Sequence, residues 1–248
     1  MLLDSRTAII YGAGGAIGGA VARAFAREGA RLHLTGRTLA KLDALAAELG
    51  GTVETAELDA LDEAAVDAHA DAVAAAAGGI DISLNVVGHG DVHGTALAEM
   101  AVEDFMQPLT TAVRSHFLTA RAAARHMIPR RTGVILAFGG SGDPLRDYYI
   151  GGTQVAFDAV EMLRRQLSAE LGRHGIRVVT LRSGGIPESL PAGFEGRDAI
   201  VESIVAPTML GRAATLEDVG NVAVFAASDW ARSVTAAALN MSCGALLD

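Results

Sequence analysis

The stretch Ile9-Ile10-Tyr11-Gly12-Ala13-Gly14-Gly15-Ala16-Ile17-Gly18-Gly19 runs from an apolar segment through a glycine-dense turn into an apolar-periodic helix. Residues of these types in this order suit binding of a dinucleotide. Gly12 allows a tight turn, and the small residues Gly14, Gly15 and Ala16 let the backbone approach a pyrophosphate. Ile17 lies in the opening turn of the helix, and Gly18 lets that helix pack closely on the strand. The helix N-terminus adds unpaired N–H groups and the positive end of a dipole. A second apolar strand, Arg31–Thr35, follows about 20 residues on. After it comes Gly36-Arg37-Thr38, with no Asp or Glu to accept from a ribose 2′-hydroxyl. A cation there pairs with a 2′-phosphate, so Arg37 points to NADP as the cofactor rather than NAD.

A second group of residues could move protons. Ser141, Asp143, Arg146, Asp147, Tyr148 and Tyr149 lie between a fifth strand and the long helix after it. Tyr149 and Tyr148 are two of the three tyrosines, and either could present a phenol to a substrate or simply pack over its loop. Ser141 could anchor a substrate oxygen. His89, Asp91 and His93 alternate after the fourth strand and would face one side of an extended segment. They could act as an acid/base group, His93 being kept as a catalytic candidate with Tyr149, Tyr148 and Ser141. No further ligand is identifiable near them, so no metal is assigned.

The elements that must position these residues follow from periodicity. Strands are expected at Thr7–Tyr11, Arg31–Thr35, Thr52–Leu58, Ile80–Val87, Gly133–Phe138, Ile176–Leu181 and Ala237–Met241, with helical patterns such as Glu63–Ala77 between most of them. Alternation of this kind predicts an α/β, doubly wound (Rossmann) parallel sheet with helices on both faces. No linker-like stretch interrupts it, so residues 1–248 read as one dinucleotide-binding domain with a substrate loop at about 184–210. Within that loop, Gly184 to Gly196 carries Pro187 and Pro191 and reads equally as a lid or as an ordinary surface loop. Half the residues are hydrophobic and 20% are charged, enough apolar material for a large core. A formal net charge of -9 without any basic run disfavours nucleic acid and anionic membrane surfaces. No uncharged apolar run is long enough to span a bilayer, and Cys243 is the only cysteine; together these predict a cytoplasmic protein without disulfides.

Taken together, these residues resemble the short-chain dehydrogenase/reductase family over essentially the whole chain. Gly12-Ala13-Gly14-Gly15-Ala16-Ile17-Gly18 is similar to its Gly-x-x-x-Gly-x-Gly fingerprint, with Ala16 at the middle glycine. Leu58-Asp59-Ala60 resembles its adenine-contacting Asp, and Asn85-Val86-Val87-Gly88 its Asn-Asn-Ala-Gly strand end. Ser183-Gly184-Gly185-Ile186 resembles the Pro-Gly segment beside the nicotinamide, which adds Asp59, Asn85, Gly88, Gly184 and Ile186 to the cofactor-binding set. The family uses an Asn-Ser-Tyr-Lys set in which Tyr donates the proton and Lys, one helical turn on, lowers its pKa. Ungapped counting puts Ala112, Gly140, Thr153 and Phe157 at those positions. No lysine occurs after Lys41, so no shift of alignment restores a Tyr-x-x-x-Lys pair.

The resemblance therefore implies an NADP(H)-dependent oxidoreductase of a small organic substrate, with nonstandard proton-handling residues. The alternative is a catalytically inactive NADP(H)-binding protein, either a redox sensor or an inactive partner subunit. It also implies a homotetramer or homodimer built on the helices around Ala112–Met127 and Val155–Arg173 and on the last strand.

Overall fold

The computed structural model describes residues 1–90, 92–140, 149–194 and 196–247. Asp91, Ser141, Asp143, Arg146, Asp147 and Tyr148 lie outside them. Seven strands form one parallel sheet: β1 (Thr7–Tyr11), β2 (Arg31–Gly36), β3 (Val53–Glu57), β4 (Ile82–Asn85), β5 (Gly133–Gly139), β6 (Ile176–Arg182) and β7 (Ala237–Asn240), in the order β3-β2-β1-β4-β5-β6-β7. Every residue of β1 is buried, as expected of an interior parallel strand covered on both faces. Ile10 packs into one apolar cluster with Phe25, Leu34 and Val179. Its neighbours Ile9 and Tyr11 pack into another with Val66, Met127 and Ile135. The strand's alternation thus feeds two cores, one on each side of the sheet. At the edge, β3 has no buried residue, and Glu54 and Glu57 are exposed.

The helices are α1 (Ala16–Arg27), α2 (Leu39–Leu49), α3 (Glu63–Ala77), α4 (Val102–Arg130), α5 (Thr153–Leu171), α6 (Arg197–Val205) and α7 (Leu216–Ala227). α3 has the expected bounds for a local reason: the Asp62 carboxylate accepts from the Ala65 N–H at its start, and Gly78 closes it at φ +78°. α7 begins with a capping box between Thr215 and Asp218.

Some expected boundaries need correction. β4 stops at Asn85 rather than Val87, because the Asn85 side-chain oxygen accepts from the Val87 N–H (2.9 Å) and turns the chain out of the ladder. α4 starts well before Ala112, at Val102. α5 runs two residues earlier than Val155–Arg173, its end tightening into a 3₁₀ turn over Gly172–His174. The stretch after β6, without visible period in the sequence, holds a 3₁₀ turn at Pro187–Ser189, and α6 follows it.

Candidate active site

The strand order reverses direction between β1 and β4, so the loops leaving these strands part and leave a crevice at their carboxyl ends. A cavity of about 590 Å³ opens there, and its walls include Gly12, Gly14, Gly15, Arg37, Asp59 and Gly88. The turn that opens it requires glycine at two points. Gly12 has φ +86°, and a Cβ on it would lie 2.8 Å from the Val86 carbonyl oxygen. A Cβ on Gly18 would collide with the Gly12 carbonyl and lie 2.7 Å from Ala13 Cα. Gly15 caps α1 without a side-chain hydrogen bond, and the first turn of that helix holds no acidic residue. Its N–H end is therefore open to an anion. Ala16 begins this helix, and Ile17, half-buried, packs against the core behind it.

Arg37 and Lys41 also line the cavity, on either side of the start of α2, whose first turn is likewise free of acidic residues. Two cations at a helix N-terminus make a site for a dianion. Arg37 was legible from its place after a strand. Lys41, the sole lysine, was missed, although it stands in the first turn of the helix that follows Arg37. Gln107 and Thr111 also line the cavity from α4, and only the fold brings them there. Asp59 is exposed, and its carboxylate accepts from the Leu61 N–H (2.9 Å).

Asn85 serves from beneath. It is buried, its side-chain oxygen accepts from the Val87 N–H, and its Nδ2 donates to Thr119 Oγ1 (3.2 Å). Gly184 and Ile186 follow β6 and lie outside the cavity walls. Gly184 approaches Ser242, where a Cβ would sit 3.1 Å from that residue's own, and Ile186 is buried in the core.

The positions that carry the family's tetrad hold a largely apolar set. Ala112 belongs to a buried cluster with Ala137, Ala156 and Val160, closed by Leu109. The Phe157 ring lies against Gly140, where a Cβ would be 2.7 Å from its Cε2. Thr153 is buried, and its hydroxyl has no hydrogen-bond partner among the described residues. One turn beyond Ala112 stands His116, whose Nδ1 lies 2.8 Å from the Ala112 carbonyl oxygen and so carries the proton donated to it. Its Nε2 is buried without a partner among the described residues. Burial pushes the His116 imidazole down to about 4, opposed by the Ala112 carbonyl and reinforced by nearby His89.

The His89 ring stands edge-on to His116 with centroids 6.1 Å apart, and 5.7 Å from the ring of Phe157. His89 also lines the cavity. The structure thus brings His89, His116, Gly140 and Phe157 together. His93 is exposed, as is Tyr149 at 55%; the Tyr149 carbonyl accepts from the Gly94 N–H (2.8 Å), joining the loop after β4 to the segment after β5. Ser141 and Tyr148 belong to the residues outside the description. Spacing alone grouped His89 with His93. The sharper signal was that His89 directly follows Gly88 at the strand end.

Among the described residues no helix is long and apolar enough to cross a membrane. Residues 12–245 match the family model described as enoyl-(acyl carrier protein) reductase. A galactitol 2-dehydrogenase (L-tagatose-forming) of Cereibacter sphaeroides is 31% identical over 98% of this chain and 95% of its own. A D-threitol dehydrogenase of Mycolicibacterium smegmatis is 31% identical over 96% of this chain and 91% of its own. Among solved structures, a gluconate 5-dehydrogenase from Burkholderia cenocepacia in complex with NADP and tartrate superimposes with a TM-score of 0.87, at 28% identity, covering 98% of this chain and 96% of its own. With the parallel sheet, the glycine turn and the crevice at the strand ends, these matches mean that the chain belongs to the short-chain dehydrogenase/reductase family.

Proposed function

We propose that this protein is an NADP(H)-dependent oxidoreductase of a small organic substrate whose proton-handling residues differ from the usual tyrosine–lysine pair. The observation that carries this reading is the cavity itself: a glycine turn and two cations among its walls, and no carboxylate directly after β2 to compete for a ribose hydroxyl. Bound NADP(H) supplies or accepts the hydride. The backbone N–H groups around Gly14 and Gly15 hold the pyrophosphate, and Arg37 with Lys41 holds the 2′-phosphate. Gly88, Gly184 and Ile186 shape the nicotinamide end. The segment 184–210 covers the substrate. For the acid–base work the sequence offers Tyr149, Tyr148, Ser141 and His93. The relatives named for galactitol, D-threitol and gluconate make hydroxylated carbon chains the first compounds to try.

Calorimetric titration tests the cofactor assignment. NADPH should bind more tightly than NADH, and Arg37→Asp should reverse the order; equal affinities in the unmutated protein would remove the argument from Arg37. Reduction of NADP⁺ dependent on an added polyol or sugar acid, or NADPH oxidation dependent on the corresponding ketone, separates an enzyme from a protein that only binds the cofactor.

The same reading extends to assembly as a homotetramer or homodimer. Phe117 on α4 and Val155 and Met162 on α5 are exposed apolar side chains on the two long helices, at 44%, 46% and 57%. A second copy would cover them. Light scattering at micromolar concentration should give a multiple of the 25.5 kDa chain, and a monomer would refute it.

A further inference from the structure

We propose that Arg114 is a positioning residue for the adenosine half of the cofactor, holding the turn after β3 in place as one wall of the cavity. This deepens the NADP(H) reading above and rests on it. The turn Leu58-Asp59-Ala60-Leu61 lines the cavity along its whole length. The Leu58 N–H donates to the Gly36 carbonyl (3.0 Å), so the turn stands beside Arg37, and an adenosine whose 2′-phosphate meets that cation lies against it. The turn is closed on itself: the Asp59 carboxylate accepts from the Leu61 N–H (2.9 Å), and the Asp59 carbonyl from the Asp62 N–H (3.0 Å). These bonds fix its shape but not its distance from the helix opposite. That distance is set from α4, where the Arg114 Nε–H donates to the Leu61 carbonyl (2.9 Å) across 53 positions of sequence.

Arg114 continues a stripe on α4, for Gln107, Thr111 and Arg114 recur at the spacing of one helix face. Gln107 and Thr111 line the cavity, and the Gln107 side-chain amide donates to the His89 carbonyl (3.2 Å). One face of α4 thus grips both the turn after β3 and the loop after β4. Further along, Arg121 pairs with Glu63 and Asp67 (2.7 and 2.9 Å), and Arg125 with Asp67 and Asp71 (3.1 and 3.2 Å). Those pairs join α4 to α3, and none of their residues lines the cavity. Arg114 differs from these arginines in its acceptor, a backbone carbonyl within the cavity wall itself. A guanidinium suits that task because it is always charged and its bonds are charge-assisted. Helix packing alone gives no reason for an arginine to reach past α3 to the turn before it.

Calorimetric titration of the full-length protein with adenosine 2′,5′-bisphosphate and with NADPH tests the role. Arg114→Met should weaken both by the same factor, about tenfold, since the displaced wall meets the half that the two ligands share. Arg114→Lys, which keeps a cationic donor, should recover most of the loss. Arg125→Met removes the same charge and breaks two ion pairs of the same helix, yet should leave both affinities unchanged. The cofactor-free protein gives an independent readout: amide hydrogen exchange at Leu61 and Asp62 should quicken in Arg114→Met and stay as it is in Arg125→Met. Unchanged affinities in Arg114→Met would overturn the proposal. So would an equal loss in Arg125→Met, because the ligand would then be sensing net charge or the packing of α4 on α3 rather than the turn. If the unmutated protein binds neither ligand, the NADP(H) reading itself has failed and the positioning role falls with it, a result distinct from binding that ignores Arg114.

Discussion

Gly140→Ser should lower stability by about 1–3 kcal/mol, and in a Phe157→Leu background the same change should cost only a fraction of that. The physical reason is occupancy. A Cβ at Gly140 would stand 2.7 Å from Phe157 Cε2 and 3.1 Å from both Cδ2 and Cζ, so three ring atoms fill the place a serine needs. The His89 ring, its centroid 5.7 Å from that of Phe157, also occupies space around it. Shortening Phe157 removes the colliding atoms and should abolish most of the penalty. Urea unfolding of the four proteins in the cycle gives the coupling energy directly. Additive effects would mean that the two positions are independent. A consequence follows for any attempt to install the usual acid–base set: a serine alone, put back at Gly140, meets a ring instead of a substrate oxygen.

Acidification from pH 7 to pH 5 should cost about 2 kcal/mol through His116 alone. In the folded protein burial is the main cause holding this imidazole down to about 4, well below its value in an unfolded chain. The unfolded protein therefore takes up a proton near pH 6.5 that the folded protein refuses until about pH 4. The stabilisation is present above the unfolded value and is lost as pH falls toward the folded one. His33 and His69 act in the same direction, since burial lowers both, with Glu54 opposing the effect on each. Urea midpoints at the two pH values check the expectation, and His116→Gln should flatten the dependence. An unchanged slope in that variant would show that His116 contributes nothing to acid sensitivity.

Much of this molecule was legible in one dimension because its causes are local. The run Thr7–Tyr11, apolar at Ala8, Ile9 and Ile10, reads as a strand covered on both faces, and the glycines after it mark a turn wherever the rest of the chain goes. α3 carries its own stop and start signals in Asp62 and Gly78, so its bounds were readable to the residue. The alternation of strands and helices specified a parallel sheet with right-handed crossovers, and with it the end of the sheet where a ligand lies. The loss of the Tyr-x-x-x-Lys pair was likewise settled by composition, since Lys41 is the last lysine.

What stands in the place of that pair was decided by packing between segments remote in sequence. His89 and His93 look alike to a periodicity argument. They part only when α4 and α5 close on β4 and set the His89 ring between His116 and Phe157 while His93 stays in solvent. Gly140 reads as an ordinary turn glycine until Phe157, seventeen positions on, is laid across it. Asn85 reads as a candidate contact to a cofactor until burial turns its side chain to the Val87 N–H and Thr119. Sequence alone determined the sheet, the glycine turn and the cation after β2, because spacing along one strand or helix governs each of them. The surroundings of Gly140, His89 and Phe157 required the tertiary structure, because they depend on which side chains fill one small volume, and volume is shared only once the chain has folded.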